Sequence, residues 1–330
     1  MLKKTFVVLL SSVSCFSFAQ KNTQIFDYFK SFSLEHVAVS ANVGTMGISL
    51  EASTPVNEWV NVRAGLNFMP TINATMGFGV QVGDEKEKKY DANGNRIETK
   101  FEKMASMMKG FTGYEIDDRV DMACEANWTN AKVMVDVLPF SNKDWHFTAG
   151  FYWGTKIIGR ACNTTEDMTT TVGVGIYNSM YDRVMNFQPI LNVTVGGEDV
   201  AISMPLEFEE VFERYGRMGM HVGDFNSTGK PYMMVPDKDG TVRAKAKVNS
   251  FKPYIGFGWD HAIPSYPEWR YGFDAGLLFW GGVPNVYIHD GTSLTKDVDN
   301  LEGKVGRIIS FVNCFPIYPV LEFKITRKIF

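Results

Sequence analysis

Hydrophobic and polar residues alternate with a period of two along much of the chain, the pattern of strands with two unlike faces. Met46, Ile48, Leu50 and Ala52 alternate with Gly47, Ser49, Glu51 and Ser53. Val60, Val62, Ala64, Leu66 and Phe68 alternate with Asn61, Arg63, Gly65 and Asn67. Ala131, Val133, Val135 and Val137 are set against Lys132, Met134 and Asp136, and Trp145, Phe147, Ala149, Phe151 and Trp153 against His146, Thr148, Gly150, Tyr152, Gly154 and Lys156. Pro253, Ile255, Phe257 and Trp259 alternate with Lys252, Tyr254, Gly256 and Gly258. Trp269 to Phe279 and Leu321 to Ile325 repeat the pattern, with Arg270, Asp274, Glu322 and Lys324 in the polar phase. The elements predicted are antiparallel strands.

The two phases differ in a way that selects an architecture. The apolar phase carries aromatic residues at strand ends (Trp145, Trp153, Trp259, Trp269, Phe279), as interfacial girdles do. The other phase mixes glycines with charges of both signs: Glu51, Arg63, Lys132, Asp136, Lys156, Lys252, Arg270, Asp274, Glu322 and Lys324. These ten form a candidate lumen charge network, with glycines leaving room for long side chains. The expectation is an all-β, antiparallel up-and-down transmembrane β-barrel. A soluble or periplasmic barrel is the competing reading.

Both ends of the chain bear on that expectation. Lys3 and Lys4 precede an uncharged, mostly apolar run from Thr5 to Phe18, and Ser17-Phe18-Ala19 supplies small residues for cleavage after Ala19. Residues 1–19 read as a signal peptide and 20–330 as the barrel domain; acylation at Cys15 is the weaker alternative, because Ser12 lacks the branched apolar side chain such a signal wants. Beyond the signal no stretch is apolar for 18 residues, so a spanning structure has to be a closed barrel. The connections 54–58, 141–144 and 261–268 are short, whereas 71–127, 161–242 and 282–316 are long. Short turns belong in the periplasm and long loops outside. A last strand descending to a periplasmic C-terminus leaves one ascending strand unassigned, and 36–43 fits it, with its phase breaking at Gly44-Thr45. Eight strands are expected; ten or more remain the alternative. The final Phe330 has Lys328 and Thr326 at its in-phase positions, a departure from the usual terminal insertion signal.

Several of these segments resemble a family of outer-membrane β-barrel proteins of Gram-negative bacteria, best represented in the Bacteroides group. The resemblance rests on Gly44-Thr45-Met46-Gly47-Ile48 running to Val62-Arg63-Ala64-Gly65 and on Val135-Asp136-Val137-Leu138-Pro139-Phe140. Val248 to Gly258, Phe273-Asp274-Ala275-Gly276-Leu277 and Tyr318-Pro319-Val320-Leu321 extend it. These residues mark strands and turns. The resemblance implies the fold and an outer-membrane location, and it implies no reaction.

Composition narrows the function classes. The 330 residues carry 33 basic and 37 acidic side chains; loss of Lys3 and Lys4 with the signal would leave 31 against 37, a net of −6. No basic stripe or zinc-knuckle spacing argues for nucleic acid. Tyr90 to Ile97, centred on Asn93-Gly94, and Pro236 to Gly240 read as turns, without the full spacing or closing Glu of a calcium loop. His36, His146, His221, His261 and His289 lie at no recognisable catalytic spacing, and no motif calls for a cofactor. Cys124 and Cys162 flank the turn near Asn142-Lys143 and are expected to face each other, as a possible disulfide. Aromatic and methionine residues of 161–242 either pack a core of the loop's own, the favoured reading, or bind an extracellular partner. The function expected is structural or surface-interaction, in contact with outer-membrane lipid and the barrel-insertion machinery. A narrow channel and a barrel-borne lipid-modifying hydrolase are the alternatives.

Overall fold

The computed structural model describes residues 36–85, 88–195, 198–203, 206–301, 303–313 and 316–329. The readings of the signal peptide, Cys15 and Phe330 lie outside them. Eight strands close into an antiparallel up-and-down β-barrel: β1 (Ala38–Gly44), β2 (Gly47–Asn57), β3 (Val60–Val82), β4 (Arg119–Val137), β5 (Trp145–Gly154), β12 (Phe251–Ile263), β13 (Tyr266–Leu278) and β16 (Tyr318–Lys328). Neighbours pair in that order, and β16 closes on β1 through Ala38↔Lys328 to Gly44↔Glu322. The strand expected at 36–43 is β1. It turns into β2 at Thr45-Met46, with Gly47 in the left-handed region (φ 98°), which only glycine adopts without strain.

The alternation fixes which way each side chain points. Leu50, Leu66, Phe147, Trp153, Phe323 and Ile325 form part of an exposed apolar belt around the outside. Ser40, Asn42, Ser49, Asn67, Asn130 and Thr148 are buried inside together with the charged residues. This is a globular protein turned inside out: polar within, apolar without. Met46 departs from the expected outward phase. It sits at the hairpin turn and is buried over the lumen.

Above the belt the connections expected as loops are largely regular structure. β3 and β4 continue past a bulge at Met69/Ile72 and stay paired to Gly79↔Arg119. β6 (Ile157–Asn163) extends the line of β5 after a break at Thr155-Lys156 and pairs with upper β4. β9 (Met218–Phe225) and β10 (Pro231–Met234) add to upper β3 on one side. β11 (Arg243–Lys247) and β14 (Asn285–Ile288) add to β6 on the other. The result is a raised wall in the order β10-β9-β3-β4-β6-β11-β14. A separate hairpin, β7 (Leu191–Val195) with β8 (Glu198–Ile202), and the short β15 (Val298–Asp299), paired with β9, complete the strands.

Four helices cover the inner face of this wall: α1 (Lys100–Thr112), α2 (Met168–Met185), α3 (Leu206–Tyr215) and α4 (Gly303–Asn313). α1 starts where Thr99-x-x-Glu102 forms a capping box, the Thr99 hydroxyl accepting from the Glu102 N–H at 3.2 Å and the Glu102 carboxylate from the Thr99 N–H at 2.9 Å. It ends at Gly113 in the left-handed conformation (φ 76°). Phe101, Met104 and Met108, at helical spacing, bury one face. They join Val120, Met122, Tyr177, Phe212, Met218, Met220 and Met234 in one core. Most of the aromatic and methionine residues between 161 and 242 thus pack a roof domain rather than an open surface. The two turn motifs form as expected: Tyr90 bridges Arg96 around Gly94, and Gly240 closes the turn after Asp237.

The expected pairing of Cys124 with Cys162 does not form, and both thiols are free. The β4–β6 register sets Cys124 against Ala161 and Cys162 against Ala123. A one-residue offset sends the two side chains to opposite faces of the wall. Cys124 points with Met122 toward the roof core, where burial raises the thiol pKa above its ordinary value. Cys162 shares the other face with Arg160 and Arg243. Alkylation of the folded protein is therefore expected to modify Cys162 faster than Cys124, and peptide mapping without reductant to find no bond between them. Equal rates, or a linked peptide, would refute that placement.

Candidate functional site

The charged residues inside the barrel come from strands far apart in sequence, each contributing one residue of its inward phase. Arg63 on β3 is the hub. Its Nη2 donates to Asp136 Oδ1 at 2.9 Å, while its Nε lies 2.8 Å from Asp136 Oδ2 as an ion-pair contact without hydrogen-bond geometry. Its Nη1 donates to Asp274 Oδ2 at 2.7 Å and reaches Glu51 Oε2 at 3.3 Å. Lys132 joins Glu51 to Glu322, 2.8 Å from the latter. Lys324 spans Asp274 at 3.3 Å and Asp260 at 2.8 Å.

Three cations, Arg63, Lys132 and Lys324, thus face Glu51, Asp136, Asp274 and Glu322, and none of these seven side chains is more than 5% exposed. Charges at that depth are tolerable because each is paired; an unpaired one would cost several kcal/mol. Three further polar side chains complete the set. His146 Nε2 lies 2.7 Å from Asp274 Oδ1, Thr148 donates to Asp136 at 2.8 Å, and Asn42 donates to Glu51. Asp274 is thereby tied at once to β3, β5 and β16.

Of the ten residues expected in the lumen, seven meet in this network. Lys252 is buried but stands apart, donating to Asn130 Oδ1 at 3.0 Å, to the Thr155 carbonyl at 3.1 Å and to the Ser250 carbonyl at 3.4 Å. Its three protons have three neutral acceptors. Arg270 lies at the lower mouth, donating to the Asp260 carbonyl at 2.7 Å beside Asp144 and His261. Lys156 is a correction: β5 ends at Gly154, and Lys156 falls in the break before β6, exposed to solvent. The alternation in the sequence runs two residues past the end of the strand.

Three members were missed although the same phase placed them inside: His146, Tyr152 and Tyr254. Charge alone selected the candidates, and these are neutral or ambiguous. Asp260, which meets Lys324, was missed as well. Tyr152 and Tyr254 pack edge to face, with ring centres 5.9 Å apart, and form with Met46, Met134, Leu278 and Val320 a hydrophobic layer that adjoins the charges, Tyr152 standing opposite Lys132. Glycines make the space for it. A Cβ on Gly256 or Gly276 would lie 2.4 or 2.5 Å from the Tyr254 hydroxyl, and one on Gly258 2.2 Å from Asp274 Oδ1.

Chemically, the arrangement is a set of cross-braces. It links β2, β3, β4, β13 and β16 across the barrel axis and fills the space between them. His146 and Asp274 form a base–carboxylate pair, but the nearby Thr148 hydroxyl is turned to Asp136 and Arg63. Among the described residues no cluster of three or more His, Cys, Asp or Glu is placed to hold a metal ion.

No protein-family model matches the chain, and no curated protein matches it. Among solved structures, the chain is similar to CarO2 of Acinetobacter baumannii, with 14% identity and a TM-score of 0.36. It is likewise similar to CarO of the same organism, with 13% identity and a TM-score of 0.37. A major outer membrane protein from Thermus thermophilus follows, with 11% identity and a TM-score of 0.26. Each alignment covers 89% of this chain and 98% of the other. None of these comparisons supports the Bacteroides-type family that the strand motifs resemble.

Proposed function

We propose that this chain is a bacterial outer-membrane protein, exported by a cleaved signal peptide, that displays its roof domain at the cell surface on a barrel whose lumen is braced shut. The observation that carries the reading is the inside-out distribution of side chains around a closed sheet. An apolar belt of Leu50, Leu66, Phe68, Trp153, Phe323 and Ile325 would have no reason to be exposed in water, whereas lipid requires it. Its natural contacts are outer-membrane lipid and, during assembly, the barrel-insertion machinery.

The same reading makes the role structural or interactive rather than conductive. Eight strands enclose a space that side chains can fill, and here Arg63, Lys132 and Lys324 with their carboxylates fill it together with the Tyr152–Tyr254 layer. The narrow-channel reading needs an open path along this axis, and the hydrolase reading needs a nucleophile facing a base. Neither has an observation in its favour. The roof then carries whatever contact the protein makes outside.

Two measurements test this. Membranes of the producing cell are expected to retain the protein after carbonate washing and release it only with detergent; extraction into aqueous buffer would overturn the membrane reading. The purified protein in planar bilayers is expected to give no discrete conductance steps. Reproducible steps that vanish with Tyr152→Ala or shift with Lys132→Gln would replace the braced lumen by a channel.

A further inference from the structure

We propose that Lys156, Arg160, Lys245 and Lys247 form a cradle for the phosphate-bearing headgroup of an outer-leaflet lipid. The proposal rests on the outer-membrane reading above and adds a specific lipid contact to it. The argument begins with strand β4, which runs without a break in phase from the belt into the wall. Its odd-numbered residues Val137, Val135 and Val133 are exposed on the barrel's outside, and Glu125 lies exposed on the same face higher up. Register carries that face sideways. Arg160 is opposite Glu125, Lys245 opposite Arg160, and Tyr287 opposite Lys245.

Height follows from the same registers. Trp153 and Phe251, opposite each other and both more than half exposed, mark the upper aromatic edge of the belt beside Ala131. Lys156 follows Trp153 by three residues, and Arg160 stands level with Glu125, six residues above Ala131 on β4. At about 3.3 Å per residue and a tilt near 40°, those steps correspond to roughly 8 and 15 Å along the barrel axis. That interval begins in the headgroup layer, which lies just outside the hydrocarbon. Long Lys and Arg side chains reach further down toward it.

The electrostatics single out this face. The protein is acidic overall, with 37 acidic against 33 basic residues. On this strip Arg160, Lys245 and Lys247, with the exposed Lys156 in the break at the foot of β6, meet one carboxylate, Glu125. Among the described residues Lys156, Arg160 and Lys245 have no ion-pair or hydrogen-bond partner through their side chains. Lys247 lies 4.8 Å from the centre of the Tyr287 ring, held by it without being neutralised. Exposed, uncompensated cations stacked directly above an apolar belt fit a lipid whose acyl chains lie along the belt and whose phosphate stands above it.

The test uses the full-length protein in detergent and bis-phosphorylated lipid A as the probe, with binding read by native mass spectrometry. Wild type is expected to bind it, and to bind enzymatically dephosphorylated lipid A far less. The variant K156Q/R160Q/K245Q/K247Q is expected to lose roughly tenfold or more in affinity, since each such charge near an anionic surface counts appreciably. Its thermal unfolding is expected to match wild type. K103Q/K230Q, on roof positions away from this face, is expected to bind as wild type does. Excess inorganic pyrophosphate that abolishes binding would show a free-phosphate site and overturn the lipid assignment. Unchanged binding in the quadruple variant, or equal loss in K103Q/K230Q, would overturn the cradle. A protein that needs detergent yet ignores the lipid phosphate loses only this proposal, whereas one that dissolves in aqueous buffer loses the membrane reading with it.

Discussion

Replacing Arg63 with Met is expected to destabilise the barrel by about 3–5 kcal/mol, the cost of removing one partner from a buried ion cluster. Three carboxylates depend on this guanidinium: Asp136 through two nitrogens, Asp274 at 2.7 Å and Glu51 at 3.3 Å. Without it Asp136 loses the cation that grips it, and the lumen holds Lys132 and Lys324 against four acids. The milder change Arg63→Lys is expected to recover only part of the loss, because one compact ammonium cannot contact Asp136 and still reach both Asp274 and Glu51 as the spread guanidinium does. The decisive comparison is Arg63→Met in a D136N/D274N background. There the charge mismatch has been reduced beforehand, and the additional loss is expected to fall to about 1 kcal/mol or less, since replacing a buried ion cluster as a unit is often near neutral. Urea unfolding in micelles, followed by tryptophan fluorescence, reads every one of these proteins. A loss below about 1 kcal/mol in the otherwise native chain would show that the network fills space without bracing the wall.

That hub explains why part of the site was legible in the sequence and part was not. Strict alternation places Arg63, Asp136, Asp274, Glu322 and Lys324 in one phase, and phase alone determines that they point to a common interior. It says nothing of partners. Which carboxylate meets Arg63 depends on strand stagger around the closed barrel, and that is set by eight registers at once. Alternation also has no marker for where a strand breaks, so Lys156 reads as inward-facing although the chain leaves the strand at Gly154. The cysteines failed for a related reason. Counting from the turn near Asn142 gives their separation to within one residue, and one residue is the difference between facing and opposing sides.

The roof was less legible than the barrel because its strands gain their pairing from the barrel itself. β6, β9, β11 and β14 are short, and each is held by a neighbour that continues a barrel strand or its extension. β11 reads Arg-Ala-Lys-Ala-Lys, with alternation but almost no apolar signal. A strand of that kind is visible only once β6 stands beside it. The capping box at Thr99 and the helical spacing of Phe101, Met104 and Met108, by contrast, are local signals. They mark a helix within the long connection 71–127.

Barrel and roof are therefore expected to fail separately, and Phe212→Ala is the substitution that separates them. Phe212 is fully buried on α3, with its ring 5.1 Å from that of Tyr177 and 6.3 Å from that of Tyr181 on α2. Tyr177 in turn donates to the Gly216 carbonyl at 2.8 Å and fastens α2 to the start of β9. Truncation to alanine leaves a cavity at this junction and is expected to cost the roof about 3–5 kcal/mol. None of that loss reaches the lumen, because the roof core and the Tyr152–Tyr254 layer are separate clusters. Limited proteolysis of intact cells is the measurement. Wild type is expected to resist, and the variant to be cut within 161–242 while the barrel strands stay paired, still folded by heat-dependent mobility on gels. Cleavage of wild type and variant at equal rates would mean that the roof has no cooperative core of its own. Loss of the barrel together with the roof would mean that the wall built on β3 and β4 transmits unfolding downward, and the two parts would then have to be treated as one unit.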